Sequence, residues 1–122
     1  MKADKLNDFQ GALADFDRVI SLLEYERGNK YTLSKTYHHR GNLKADKLED
    51  FQGALSDFNQ AIIIDSEFTD TYQSRGKLKY AKLNDRPGGI ADLRQAINLA
   101  ISQNNTQVLS NAQKMLQSWG VK

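Results

Sequence analysis

Two internal self-matches constrain this chain more tightly than any bulk property. Residues 1–22 align with residues 43–64 at an offset of 42, with 14 of 22 positions identical. The shared string is Lys-Ala-Asp-Lys-Leu-x-Asp-Phe-Gln-Gly-Ala-Leu-x-Asp-Phe. Residues 37–64 align with residues 72–99 at an offset of 35, with 13 of 28 identical. Periods of this size belong to repeat architectures, in which each unit is one supersecondary element that buries its apolar face against its neighbours.

The spacing of apolar residues gives the unit its form. Leu13, Phe16, Ile20 and Leu23 fall on one helical face, and the stripe returns as Leu55, Phe58, Ala61, Ile62 and as Ile90, Leu93, Ala96, Ile97. Ahead of each later stripe lies another helix, from Tyr37 through Gly41 to Leu48 and from Tyr72 through Gly76 to Leu83. Asp8, Asp50 and Asp85 stand where the second helix needs an N-cap, and Pro87 falls in a first turn, where a missing N–H costs little. Small residues at Gly41 and Gly76 face Gly53-Ala54 and Gly88-Gly89 and predict close approach of antiparallel helices; Gly88-Gly89 also reads as a turn. The seven extra residues between the first two units predict a longer second helix through Leu23 to Arg27, stopped at Gly28-Asn29, with a long loop as the alternative.

Composition removes whole classes of chemistry. With no Cys in 122 residues there is no disulfide framework, thiolate metal site or cysteine nucleophile, and a reducing, cytoplasmic setting fits. A net charge of +2 with interspersed signs does not predict a nucleic-acid surface. The apolar run Ala61–Ile64 is far too short to span a membrane, and the charged start carries no signal-peptide core. His38 and His39 are neighbours, so on a helix they diverge and cannot chelate one metal; both read as surface residues. No nucleophile elbow or phosphate loop occurs, and no enzyme, metal or cofactor is expected.

Tyr37-x-x-Arg40-Gly41 followed by Ala54-Leu55-x-x-Phe58-x-x-Ala61-Ile62 resembles the tetratricopeptide repeat, as in bacterial tandem arrays. The third unit restates the pattern as Tyr72-x-x-Arg75-Gly76 and Gly89-Ile90-x-x-Leu93-x-x-Ala96-Ile97. The units run 35 residues rather than the family's 34, and Asp65-Ser66 replaces its closing Asp-Pro. The resemblance implies an all-α, right-handed solenoid of antiparallel helix pairs forming one domain. Residues 1–33 are a truncated first unit with an extended second helix, 34–68 and 69–103 are whole units, and 104–122 are a capping helix with Val108, Leu109, Ala112, Met115, Leu116 and Trp119 on its inner face. The truncated first unit reads as the incomplete end of an array; the competing explanations are a fragment of a longer repeat array, a true start that lies upstream, and a bare end that pairs with a second copy in a homodimer.

The resemblance also implies a function. First helices of such units line a concave groove for a peptide or protein partner, and the matching positions are Lys35, His38, Asn42, Asp70, Gln73 and Lys77. Only Asn42 suits a clamp for carboxylate-ended chaperone tails, so that ligand is not expected. Arg40 and Arg75 replace the family's usual Leu, and Asp15, Asp57 and Asp92 precede the second-helix aromatic position. Charges on half-buried faces need partners, which predicts structural ion pairs between successive units, Asp15 with Arg40 and Asp57 with Arg75; Asp57 with Arg40 inside one unit is the alternative. The leading reading is thus a non-enzymatic interaction scaffold. An RNA-binding helical repeat of the pentatricopeptide kind and a structural spacer are the competing ones.

Overall fold

The computed structural model describes residues 2–25 and 29–121, with side chains from residue 8 onward. The described residues are all-α: α1 (Lys2–Tyr25), α2 (Lys30–Asp46), α3 (Phe51–Ile64), α4 (Thr69–Ala81), α5 (Arg86–Ser102) and α6 (Thr106–Ser118). They fall into two compact units, 1–66 and 67–122. None of the helices is long and apolar enough to cross a membrane.

The helix boundaries follow from capping chemistry. Asp50 accepts from Gly53 N at 3.0 Å, Asp85 from Gly88 N at 2.9 Å and Asn105 from Val108 N at 3.1 Å, each satisfying an orphan donor of the first turn. Asn29 caps α2 by accepting from Tyr31 N and Thr32 N, so it opens a helix where it was expected to close one. Arg27 and Gly28, named in the same expectation, lie outside the described residues.

The turn between paired helices is the same device twice. Leu48 N donates to Leu43 O at 3.2 Å and Asp50 N to Lys44 O at 2.9 Å, with Glu49 left-handed at φ 52°. One period later Leu83 N donates to Leu78 O at 3.2 Å and Asp85 N to Lys79 O at 2.9 Å, with Asn84 at φ 54°. These bonds satisfy the last carbonyls of the first helix and reverse the chain within a few residues.

In the first unit the expected turn does not form. Asp8 lies inside α1, which runs unbroken from Lys2 to Tyr25, although residues 2–16 carry the string that breaks into helix, turn and helix at 44–58. Lys, Ala and Leu are good helix formers, so local propensity permits either outcome. At 44–58 the reversal is stabilised by packing of α2 on α3.

Each core is built around a close helix crossing. A Cβ at Gly41 would sit 2.7 Å from the Phe58 ring, and one at Gly76 would sit 2.9 Å from the Gly89 carbonyl oxygen. Both Gly88 and Gly89 are helical; Gly89 packs against Gly76 and Tyr80, while the nearest atoms to Gly88 are those of its own cap, Asp85. In the first unit Ile20, Tyr37 and Ala61 bring α1, α2 and α3 into one cluster, flanked by Leu33 and Ile64. In the second unit Leu93, Ala96, Ala100, Val108, Ala112 and Leu116 are buried, and Trp119 stacks on Tyr80 with ring centroids 3.8 Å apart and planes 1° from parallel.

Candidate interaction surface

The strongest electrostatic feature is a charge clasp that occurs once in each unit. Arg40 donates from Nε to Asp57 Oδ2 at 2.8 Å and from Nη2 to Oδ1 at 2.6 Å, and Lys44 Nζ lies 3.2 Å from the same carboxylate. Arg75 donates from Nε to Asp92 Oδ2 at 2.9 Å and from Nη2 to Oδ1 at 2.8 Å, with Lys79 Nζ 3.5 Å away. The forked guanidinium matches the carboxylate geometry, as buried pairing requires. Hydrogen bonds from Arg40 to Asp57, and secondarily to Asp17, hold Arg40 protonated well above its ordinary range.

Within the first unit this pattern corrects the expected pairing of Asp15 with Arg40. The clasps join the first and second helices of one unit, α2 to α3 and α4 to α5, as the alternative pairing had it for Arg40 and Asp57. Asp15 is exposed and lies 3.4 Å from Arg18, one helical turn along α1. Arg40 does reach α1, but through Asp17, whose Oδ1 accepts from Nη1 at 2.8 Å. Two residues along a helix is a rotation of about 200°, so Asp15 and Asp17 point to opposite sides, and only Asp17 faces α2.

The six positions expected to line a groove divide by exposure. Lys35, Asp70 and Lys77 are exposed, Asn42 and Gln73 half-buried. His38 is buried, at 5% exposure, which overturns its reading as a surface residue; His39 is exposed. The His38 ring lies 6.0 Å from that of Phe58, and its Nε2 is 3.1 Å from Asn42 Nδ2. Burial, helped by the neighbouring His39, pushes His38 down to about 4. The signal for this was Gly41: a residue three positions before a close-packing glycine shares its inward face. Ser34, another turn back, is also buried and donates from Oγ to Ala61 O at 2.9 Å.

Two features were not anticipated. Tyr37 donates its hydroxyl to Glu24 in a short bond across α2 and α1, and burial followed by this bond raises the phenol to about 12. In the second unit an open cleft of about 680 Å³ runs between α5 and α6, lined by Arg94 and Ile97 on one side and Ser110, Gln113, Lys114 and Leu116 on the other. Among the described residues no cluster of His, Cys, Asp or Glu is arranged to hold a metal ion. No protein-family model matches the chain, and no curated protein matches it.

Proposed function

We propose that this chain is a non-enzymatic interaction module built of tetratricopeptide-like helix pairs, in which the exposed face of α2 in one unit and that of α4 in the other are each offered to a peptide or protein partner. The observation that carries the reading is the recurrence of one complete device at a 35-residue period: the Arg–Asp–Lys clasp, the close crossing at Gly41 or Gly76, and the left-handed turn before the Asp cap. The clasps occupy Asp57 and Asp92 in holding helices together, while Lys35, Asp70 and Lys77 present charge outward. In such scaffolds specificity resides in a few surface side chains carried on a rigid frame. The cell compartment suggested by the cysteine-free composition is the cytoplasm.

The test is a photo-crosslinking residue at position 35 or 77, compared with one at Gln60 on the exposed side of α3. A partner captured from positions 35 and 77, absent from position 60 and lost in a Lys35→Ala/Lys77→Ala chain, supports the assignment. Equal capture from all three positions overturns it, and RNA as the captured species would replace the protein partner.

A further inference from the structure

We propose that the α5/α6 cleft receives α1 of a second copy of this chain, so that copies join head to tail. The inference rests on the helical-repeat reading but not on the peptide-binding role given to α2 and α4.

The argument begins with what fills the corresponding place in the first unit. There α2 packs on both α1 and α3, and Ile20, Tyr37 and Ala61, one from each helix, share a buried cluster. In the second unit α6 packs on α5 as α2 does on α1. The repeat equivalent of Ile20, through Ile62, is Ile97, and Ile97 lines the open cleft. The cleft therefore stands where a helix of the α3 kind would lie.

A helix of that kind is present in every copy. Residues 9–16 of α1 repeat residues 51–58 of α3 with one difference, Ala14 for Ser56. In α3 the side facing its partner is closed, with Ala54 at 0%, Asp57 at 3%, Phe58 at 1% and Ala61 at 0% exposure. The same positions in α1 are Ala12, Asp15, Phe16 and Val19; Ala12 and Phe16 are only half-buried, Asp15 is exposed, and Val19 is 40% exposed. Seating α1 in the cleft of another copy brings Val19 and Ile97 together, the repeat equivalents of Ala61 and Ile20, which share one buried cluster in the first unit.

The charges agree with this seating. In the first unit Asp17 and Asp57, on successive second helices, are joined through Arg40. At the new joint the repeat equivalent of Asp17 is Arg94, and that of Asp57 is Asp15 of the incoming copy. A cation replaces the first carboxylate, so the two can pair directly without an intervening arginine. Lys114 lines the same cleft, and no acidic side chain does. Because the two surfaces differ, the contact is heterologous, and each copy can accept one neighbour and dock on another.

Sedimentation velocity of the intact chain from about 10 to about 500 µM reads the proposal directly. The expected result is an average mass that climbs past the dimer. Asp15→Arg and Arg94→Asp, both at exposed positions, should each hold the chain at monomer mass with an unchanged helical circular dichroism spectrum. The Asp15→Arg/Arg94→Asp double variant should associate again, as should an equimolar mixture of the two single variants. A wild-type monomer throughout, a plateau at the dimer, or failure of the double variant to recover overturns the proposal. Capture of a partner at positions 35 and 77 is read separately, so either conclusion can fail while the other stands.

Discussion

Arg40 grips Asp57 through two parallel hydrogen bonds of 2.8 and 2.6 Å while the carboxylate retains only 4% of its side-chain exposure. A charge so far removed from water depends on its partner more than the partner adds to stability. Arg40→Met should lower unfolding free energy by about 3 kcal/mol, since Asp57 keeps only Lys44. The double variant Arg40→Met/Asp57→Leu should lose less than Arg40→Met alone, and urea titration of the cycle measures the difference. A double variant as unstable as the sum of the singles would contradict the assignment of the loss to a stranded carboxylate.

Equal glycine substitutions should have opposite effects in different helices. At Gly76 a methyl group meets backbone, the Gly89 carbonyl oxygen at 2.9 Å, and Gly76→Ala should destabilise by about 1–3 kcal/mol. Gly11 is exposed and uncrowded in the middle of α1, so Gly11→Ala should stabilise by about 0.5–1 kcal/mol at concentrations where the chain is monomeric. Thermal unfolding of the two variants side by side checks both signs.

Acid sensitivity should centre on His38. Its folded value, about 4, lies below the ordinary 6.5, so the unfolded chain binds the proton more readily. The stability that neutral His38 contributes is fully present above pH 6.5 and is lost as the pH falls from there through about 4. The loss should be on the order of 3 kcal/mol at full amplitude, and much smaller in His38→Gln. Tyr37 acts at the other extreme: with the phenol raised to about 12, its contribution holds below pH 10 and falls as the pH rises through 12. Denaturant midpoints across the pH range, with Tyr37→Phe as the alkaline control, measure both limbs.

Trp119 is the single tryptophan and reports directly on α6. Its ring stacks on Tyr80 at 3.8 Å, an offset or parallel aromatic contact contributing about 1 kcal/mol. Tyr80→Leu should shift Trp119 emission to the red and lower the midpoint followed by fluorescence more than Phe51→Leu, a substitution in the first unit. Equal responses would mean that Trp119 does not sense α6 docking.

Much of the helical layout was legible in the sequence because it is written in local chemistry: apolar stripes, Asp caps at 50 and 85, and small residues at Gly41 and Gly76. The misreadings share another cause. Asp8 and Asp50 have nearly identical neighbours, and what makes Asp50 a cap is the packing of α2 on α3 around it, which no short window of sequence records. Asp15 was paired by alignment, but Arg40 chooses by direction around α1 and finds Asp17. His38 looked like a surface residue in a list of polar positions and was placed inside by the glycine three residues later.

The twice-used string gives the chain a built-in control. A substitution made at Phe9 or at Phe51, at Leu13 or at Leu55, changes the same side chain among almost the same neighbours in sequence, once in an unbroken helix and once beside a reversal. Any difference between the members of such a pair is then a measure of three-dimensional context alone, with intrinsic conformational preference cancelled within a single polypeptide.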